Sequence, residues 1–164
     1  MFVDASNQGR REKLLSLEDL IEDVAVKILR LAVTKLPEDV KAALKDAYNR
    51  ESSPIGKIQL KAILDNIRLA EETGTPLCQD TGLISFYLKA GSRFEGLDRT
   101  EKILRKAVMR ATLQVPLRPN TLNPFTQENS GDNTGRNVPY IHWSIVDGDF
   151  LEITAFPKGG GSEN

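Results

Sequence analysis

Residues 75 to 82 read Thr-Pro-Leu-Cys-Gln-Asp-Thr-Gly and contain Cys78, the single cysteine of the chain. An amide (Gln79), a carboxylate (Asp80) and a hydroxyl (Thr81) follow it directly. A thiolate in such polar company can act as a nucleophile or as a metal ligand. A free cysteine can also be a small buried hydrophobe. Gly82 lets another stretch of backbone come close. A nucleophile calls for a base, and His142 is the only histidine; it sits in an expected strand beside Trp143.

Three further segments carry polar chemistry. Residues 128 to 135, Glu-Asn-Ser-Gly-Asp-Asn-Thr-Gly, can be a turn-rich surface loop or a rigid loop that offers amides and carboxylates to a polar ligand. Their spacing does not match a calcium loop. Residues 158 to 164, Lys-Gly-Gly-Gly-Ser-Glu-Asn, resemble an anion cradle, in which glycines turn backbone N–H groups toward a carboxylate or phosphate. They lack the spacing of a P-loop, and a flexible tail is the competing reading. Arg118 lies between Pro116 and Pro119, which stiffen its backbone. A guanidinium held in this way suits a two-pronged grip on a carboxylate. Arg99, Lys102, Lys106 and Arg110 share one helical face and read as a solvated surface.

The elements that must position these groups are well punctuated. Ser16 and Asp19 form a capping box before a helix whose apolar stripe is read as Leu17, Leu20, Ile21, Val24, Ile28 and Leu31. Pro37 opens a second helix. Ser53 caps a third, Pro54 opens it, Leu60, Ile63, Leu64 and Ile67 form its stripe, and Gly74 closes it. Residues 83 to 89 alternate as a strand with Ile84, Phe86 and Leu88 on one face. A fourth helix starts at Leu97, and residues 117 to 137 read as a long functional loop. Residues 140 to 146 and 150 to 156, joined by Asp147-Gly148-Asp149, predict a β-hairpin. The expected fold is α+β: a helical N-terminal half packed on a mostly antiparallel sheet that includes the C-terminal hairpin.

Bulk properties narrow the class. The chain has 164 residues, is 40% hydrophobic and 27% charged, and carries a net charge of −1. That is enough for one domain with a real core. A near-neutral balance argues against a dedicated nucleic-acid binder. No apolar run has the length of a membrane span, the N-terminus has no signal-peptide pattern, and a single thiol fits a reducing compartment. The expectation is a soluble cytoplasmic protein with no nucleic-acid or membrane partner.

Taken in order, residues 76 to 82, 117 to 135 and 158 to 164 resemble the iron–sulfur hydro-lyases, namely the class I fumarases and the similar L-tartrate dehydratase alpha subunits. The helical lead-in, including Glu51 to Gly82, fits as well. The resemblance covers residues 17 to 164 and leaves 1 to 16 as an N-terminal extension. It implies a [4Fe–4S] cluster held by three cysteines, with Cys78 as the first. It implies substrate contacts from Gln79, Asp80, Arg118, Gly159, Gly160 and Gly161, with Asp80 also catalytic. It implies the reversible hydration of fumarate to L-malate, with tartrate dehydration as the alternative, partners in the remaining catalytic half and a C-terminal domain or beta subunit, and a homo-oligomer. Two of the three cysteines are absent from this sequence, so the chain is expected to be a truncated part of the catalytic unit and inactive alone. A fold-retaining, non-catalytic module and a cysteine hydrolase built on Cys78 and His142 are the competing classes.

Overall fold

The computed structural model describes residues 16–78 and 80–159. Four helices and three strands follow in the order α1 (Leu17–Thr34), α2 (Glu38–Arg50), α3 (Pro54–Thr73), β1 (Leu83–Gly91), α4 (Leu97–Gln114), β2 (Tyr140–Val146) and β3 (Leu151–Lys158). The helix ends follow the local signals. Ser16 accepts from the Asp19 N–H while the Asp19 carboxylate accepts from the Ser16 N–H. Ser53 Oγ accepts from the Gly56 N–H at 3.3 Å, and Gly74 closes α3 at φ 68°, a left-handed conformation that glycine enters without a Cβ penalty.

The architecture is α+β. One face of the sheet is built from Ile84, Phe86 and Leu88 of β1, with Ile141, Trp143, Leu151, Ile153 and Ala155 beside them. It packs on Ile21, Ala25, Leu29 and Val33 of α1 and on Ile103, Leu104, Ala107, Val108 and Ala111 of α4. The buried face of α1 therefore differs from the expected stripe. Of the six residues read as core, only Ile21 is buried, while Leu17, Leu20, Val24 and Leu31 are exposed. The helix is apolar on two faces. Small and branched residues at 25, 29 and 33 give the closer packing. On α3 the expected stripe holds at Ile67, but Ile63 is exposed.

The hairpin is also corrected. Strand order is β2–β1–β3, so β1 lies between the two strands that were expected to pair. β1 runs parallel to β2, with Ser85 opposite Tyr140, and antiparallel to β3, with Leu83 opposite Lys158. The sheet is mixed, and β1–α4–β2 is a single crossover unit of the kind parallel strands require. Asp147 and Gly148 do turn the chain, but over the end of β1. The N–H groups of Gly91, Ser92 and Arg93 donate to the carbonyls of Phe150, Val146 and Gly148 at 2.8, 2.8 and 2.9 Å. Space permits this only because residue 91 has no side chain: a Cβ there would stand 2.2 Å from the Gly148 carbonyl carbon. The Arg93–Asp147 ion pair spans the same crossing.

The basic face of α4 is not uniformly solvated. Arg99 pairs with Glu18 at 2.7 Å, and Arg110 pairs with Glu22 at 2.9 Å and Asp23 at 2.5 Å. Two of the four cations thus tie α4 to α1, whereas Lys102 and Lys106 remain exposed. No helix among the described residues is long and apolar enough to cross a membrane.

Gly91→Ala is expected to destabilise the protein by about 1–3 kcal/mol through overpacking against backbone, read as a lower denaturant midpoint. Gly74→Ala, where nothing lies within 4 Å of the new Cβ, should cost only the roughly 1–2 kcal/mol of a left-handed residue. A Gly91 variant as stable as the parent would contradict the crossing.

Candidate active site

The antiparallel register of β1 and β3 brings the thiol loop and the glycine run together. The chain enters β1 through Asp80-Thr81-Gly82 and leaves β3 through Lys158-Gly159, and Leu83 faces Lys158. Gly82, at φ 72°, lies directly on that exit: a Cβ would stand 1.9 Å from the Lys158 carbonyl carbon and oxygen. One step out, a Cβ on Gly159 would stand 2.6 Å from Asp80 Oδ2. The close approach expected at Gly82 is therefore realised, and its partner is the start of the glycine run.

The base of the thiol loop is fixed by two hydrogen bonds to the backbone of Leu77. The Leu77 N–H donates to the Val33 carbonyl of α1 at 2.8 Å, and Asn66 Nδ2 of α3 donates to the Leu77 carbonyl at 2.9 Å. Cys78 itself is exposed. It borders a small cavity of about 110 Å³ with Ala32, Val33, Leu77, Asp80, Thr81 and Pro157. Asp80 Oδ1 accepts from the Gly82 N–H at 3.0 Å and from Asn120 Nδ2 at 3.2 Å. Asn120 belongs to the loop that follows α4, so the carboxylate is oriented by both neighbours.

Arg118 reaches the same corner through its backbone. Its N–H donates to Thr81 Oγ1 at 2.8 Å, and its side chain is exposed. Residues 118 to 135 form a folded loop rather than a loose one. Leu122 and Asn129 make an antiparallel bridge. Asp132 Oδ1 accepts from the Thr134 N–H at 2.9 Å and from its hydroxyl at 2.8 Å. Burial pushes the Asp132 carboxyl up, but hydrogen bonds from Thr134 and Ser130 outweigh it and hold the group below the usual carboxylate range. Asn133 is buried at 1% exposure.

Of the expected site residues, Cys78, Asp80, Arg118 and Gly159 fall on one corner of the molecule. Gln79, Gly160 and Gly161 lie outside the described residues. His142 is elsewhere: it stacks on Tyr87, with ring centroids 4.6 Å apart, on the sheet face turned away from α1 and α4. The cavity beside Cys78 contains no histidine, which removes the geometric basis of the Cys–His pair. Larger hollows of about 590 Å³ between α4 and β2 and about 620 Å³ within the 121–138 loop lack the thiol. Sequence reading missed Thr81, Asn120 and Asn133 as organising residues. The one available signal was an Asn-rich loop placed after a rigid Pro-Asn pair.

A [4Fe–4S] cluster needs more thiolate than this corner supplies. The chain has one cysteine, and no three His, Cys, Asp or Glu side chains converge on a metal site among the described residues. These residues therefore do not make a cluster site by themselves.

The corner is a polar, carboxylate-bearing site held at the open end of a small α+β sheet. The family described as "Fumarate hydratase (Fumerase)" matches residues 22–164, and the chain belongs to it. It is 48% identical over 149 residues to a candidate L(+)-tartrate dehydratase subunit alpha of Methanocaldococcus jannaschii, covering 88% of this chain and 52% of that protein. It is 40% identical over 142 residues to the L(+)-tartrate dehydratase subunit alpha of Escherichia coli O157:H7, covering 86% of this chain and 47% of that protein. The chain thus spans about half the length of these relatives.

The lowered pKa of Asp132 fixes a sign. A carboxylate whose folded value lies below its unfolded value stabilises the fold above the unfolded value, near 3.8, and loses that contribution as pH falls through the lower folded value. Asp132→Asn should therefore lower the melting temperature at pH 7, and the gap from the parent should shrink toward pH 3. A gap independent of pH would show that the charge plays no part.

Proposed function

We propose that the chain is part of an alpha-type hydro-lyase that removes water from a C4 hydroxydicarboxylate, with L-tartrate ahead of the malate–fumarate pair. The observation that carries the reading is the juxtaposition of Cys78, Asp80 and Gly159 by the β1–β3 register, joined by Arg118 through its N–H bond to Thr81. The order of substrates follows the names of the relatives, which are tartrate dehydratase alpha subunits. It reverses the expectation from sequence, which put fumarate first. Loss of water across the central carbon–carbon bond of tartrate gives the enol of oxaloacetate.

Each residue has a role that its chemistry can fill. Arg118 grips one substrate carboxylate through paired N–H groups. Backbone N–H groups from Gly159 onward cradle negative charge that builds on that carboxylate. Asp80, oriented by Gly82 and Asn120, holds or orients the proton that moves. Gln79 is a further substrate contact. Cys78 serves as one ligand of a [4Fe–4S] cluster whose other ligands come from outside these 164 residues. It follows that the chain alone turns nothing over. The complete enzyme contains further catalytic sequence and a beta-type partner. The single cysteine also supports a second reading, a binding or assembly module that keeps the fold without turnover.

The test is an anaerobic assay of the complete, cluster-reconstituted enzyme with its partner. Higher kcat/KM for L-tartrate than for L-malate or fumarate is expected, and Arg118→Met should lower kcat/KM on the order of 10²-fold. Preference for malate would reverse the substrate order. Absence of any turnover, with cluster incorporated, would favour the module.

A further inference from the structure

We propose that Asn133, with Thr81 and Asn129, is a positioning residue that sets the backbone of Arg118-Pro119-Asn120 and thereby aims both the Arg118 guanidinium and the Asn120 amide. This rests on the reading of Arg118 as the carboxylate grip.

The hydrogen-bonding groups from the Arg118 N–H to the Asn120 N–H are all claimed. The Arg118 N–H donates to Thr81 Oγ1 at 2.8 Å. The Arg118 carbonyl accepts from Asn133 Nδ2 at 3.0 Å. The Pro119 carbonyl accepts from Asn129 Nδ2 at 2.7 Å. The Asn120 N–H donates to Asn133 Oδ1 at 2.8 Å. Pro119 has no N–H to place, and its ring fixes φ. One asparagine side chain thus brackets the proline from both sides, and little freedom is left in the segment.

The bracket is anchored at both ends. Asn133 Nδ2 also donates to Thr112 Oγ1 of α4 at 3.2 Å, and that hydroxyl donates to the Asp132 carbonyl at 3.0 Å. Thr81 is the residue between Asp80 and Gly82, so the other end is tied to the thiol loop. Asn133 sits at φ 59°, a left-handed position that asparagine tolerates better than most residues. It is buried at 1% exposure with both polar atoms bonded, and both loop bonds go to the segment that carries Arg118. Its amide joins the two ends of the loop, reaching back from residue 133 to residues 118 and 120 and on to Thr112 of α4. The output is visible at Asp80, where Asn120 Nδ2 arrives at 3.2 Å from Oδ1.

The test uses the complete enzyme and three substitutions. Asn133→Gly removes the amide while keeping the left-handed backbone relaxed. Thr81→Val removes the hydroxyl at nearly constant shape. Arg118→Met removes the grip itself. Asn133→Gly and Thr81→Val are each expected to raise KM for the dicarboxylate about tenfold or more, since small misplacements cost that much. Added to Arg118→Met, Asn133→Gly should cost less than about twofold further, because coupled residues are not additive. Full multiplicative loss in the double variant would overturn the positioning role while leaving the grip intact. An Arg118→Met enzyme with unchanged kinetics would remove the grip and this proposal with it. Should Asn133→Gly fail to fold, the Thr81→Val and Arg118→Met pair decides by the same criterion. Amide exchange in the unmodified enzyme is an independent check: protected N–H groups at 118 and 120 are expected, and exchange as fast as at the exposed residues 125 and 126 would sink the proposal.

Discussion

The site depends first on one register, the pairing of Leu83 with Lys158 between antiparallel β1 and β3. It makes the entry to one strand the neighbour of the exit from another. Residues 75 sequence positions apart then meet without any long side chain between them. Gly82 is what makes the meeting physically possible, because a Cβ there would stand 1.9 Å from the Lys158 carbonyl. A shift by one residue would turn every side chain of β3 to the other face and carry Gly159 away from Asp80. The buried row Ile84, Phe86 and Leu88, each 2% exposed or less, opposes such a slip. These three core residues therefore hold the corner in register, although none of them lines it.

A second constraint sits at the far end of the same strand. The chain between β2 and β3 passes over Gly91, so β1 stays in the middle of the sheet. This explains why a strong Asp-Gly signal misled the reading of topology. That dipeptide reports a local reversal of the chain; whether the flanking strands then pair is decided by a third strand far away in sequence. The sign that β1 intervenes is a lone glycine at the end of an otherwise alternating run, which has meaning only once the partner backbone is known. Helix ends were legible for the opposite reason. Ser16, Asp19, Ser53, Pro54 and Gly74 act within one turn of where they stand, so a local reading suffices.

Faces were harder than ends. α1 carries apolar residues on two sides, and periodicity alone could not choose between them. The choice follows the closer packing of Ala25, Leu29 and Val33 in the core, and Arg99 and Arg110 of α4 reach Glu18, Glu22 and Asp23 beside it. These pairs are partly exposed and contribute little stability singly. The same cations looked like an ordinary solvated face in the sequence, because their partners lie about 80 residues earlier.

The candidate site divides into groups proposed to act and groups that hold them. Cys78, Asp80 and Arg118 are exposed, and their residue types announced them. Thr81 and Asn133 are buried at 5% and 1% exposure, and nothing in the composition of a turn-rich loop distinguished them from solvent-facing asparagines and threonines. The distinction arises only when burial removes water, since a buried amide must then find protein partners. For Asn133 those partners are the backbone of Arg118 and Asn120 and the Thr112 hydroxyl. The acting groups face outward from a firmly bonded frame, in a chain that spans about half the length of its relatives. One thiolate is too few for a four-iron cluster. The frame is one wall of the proposed site, and Cys78 stands on its exposed side.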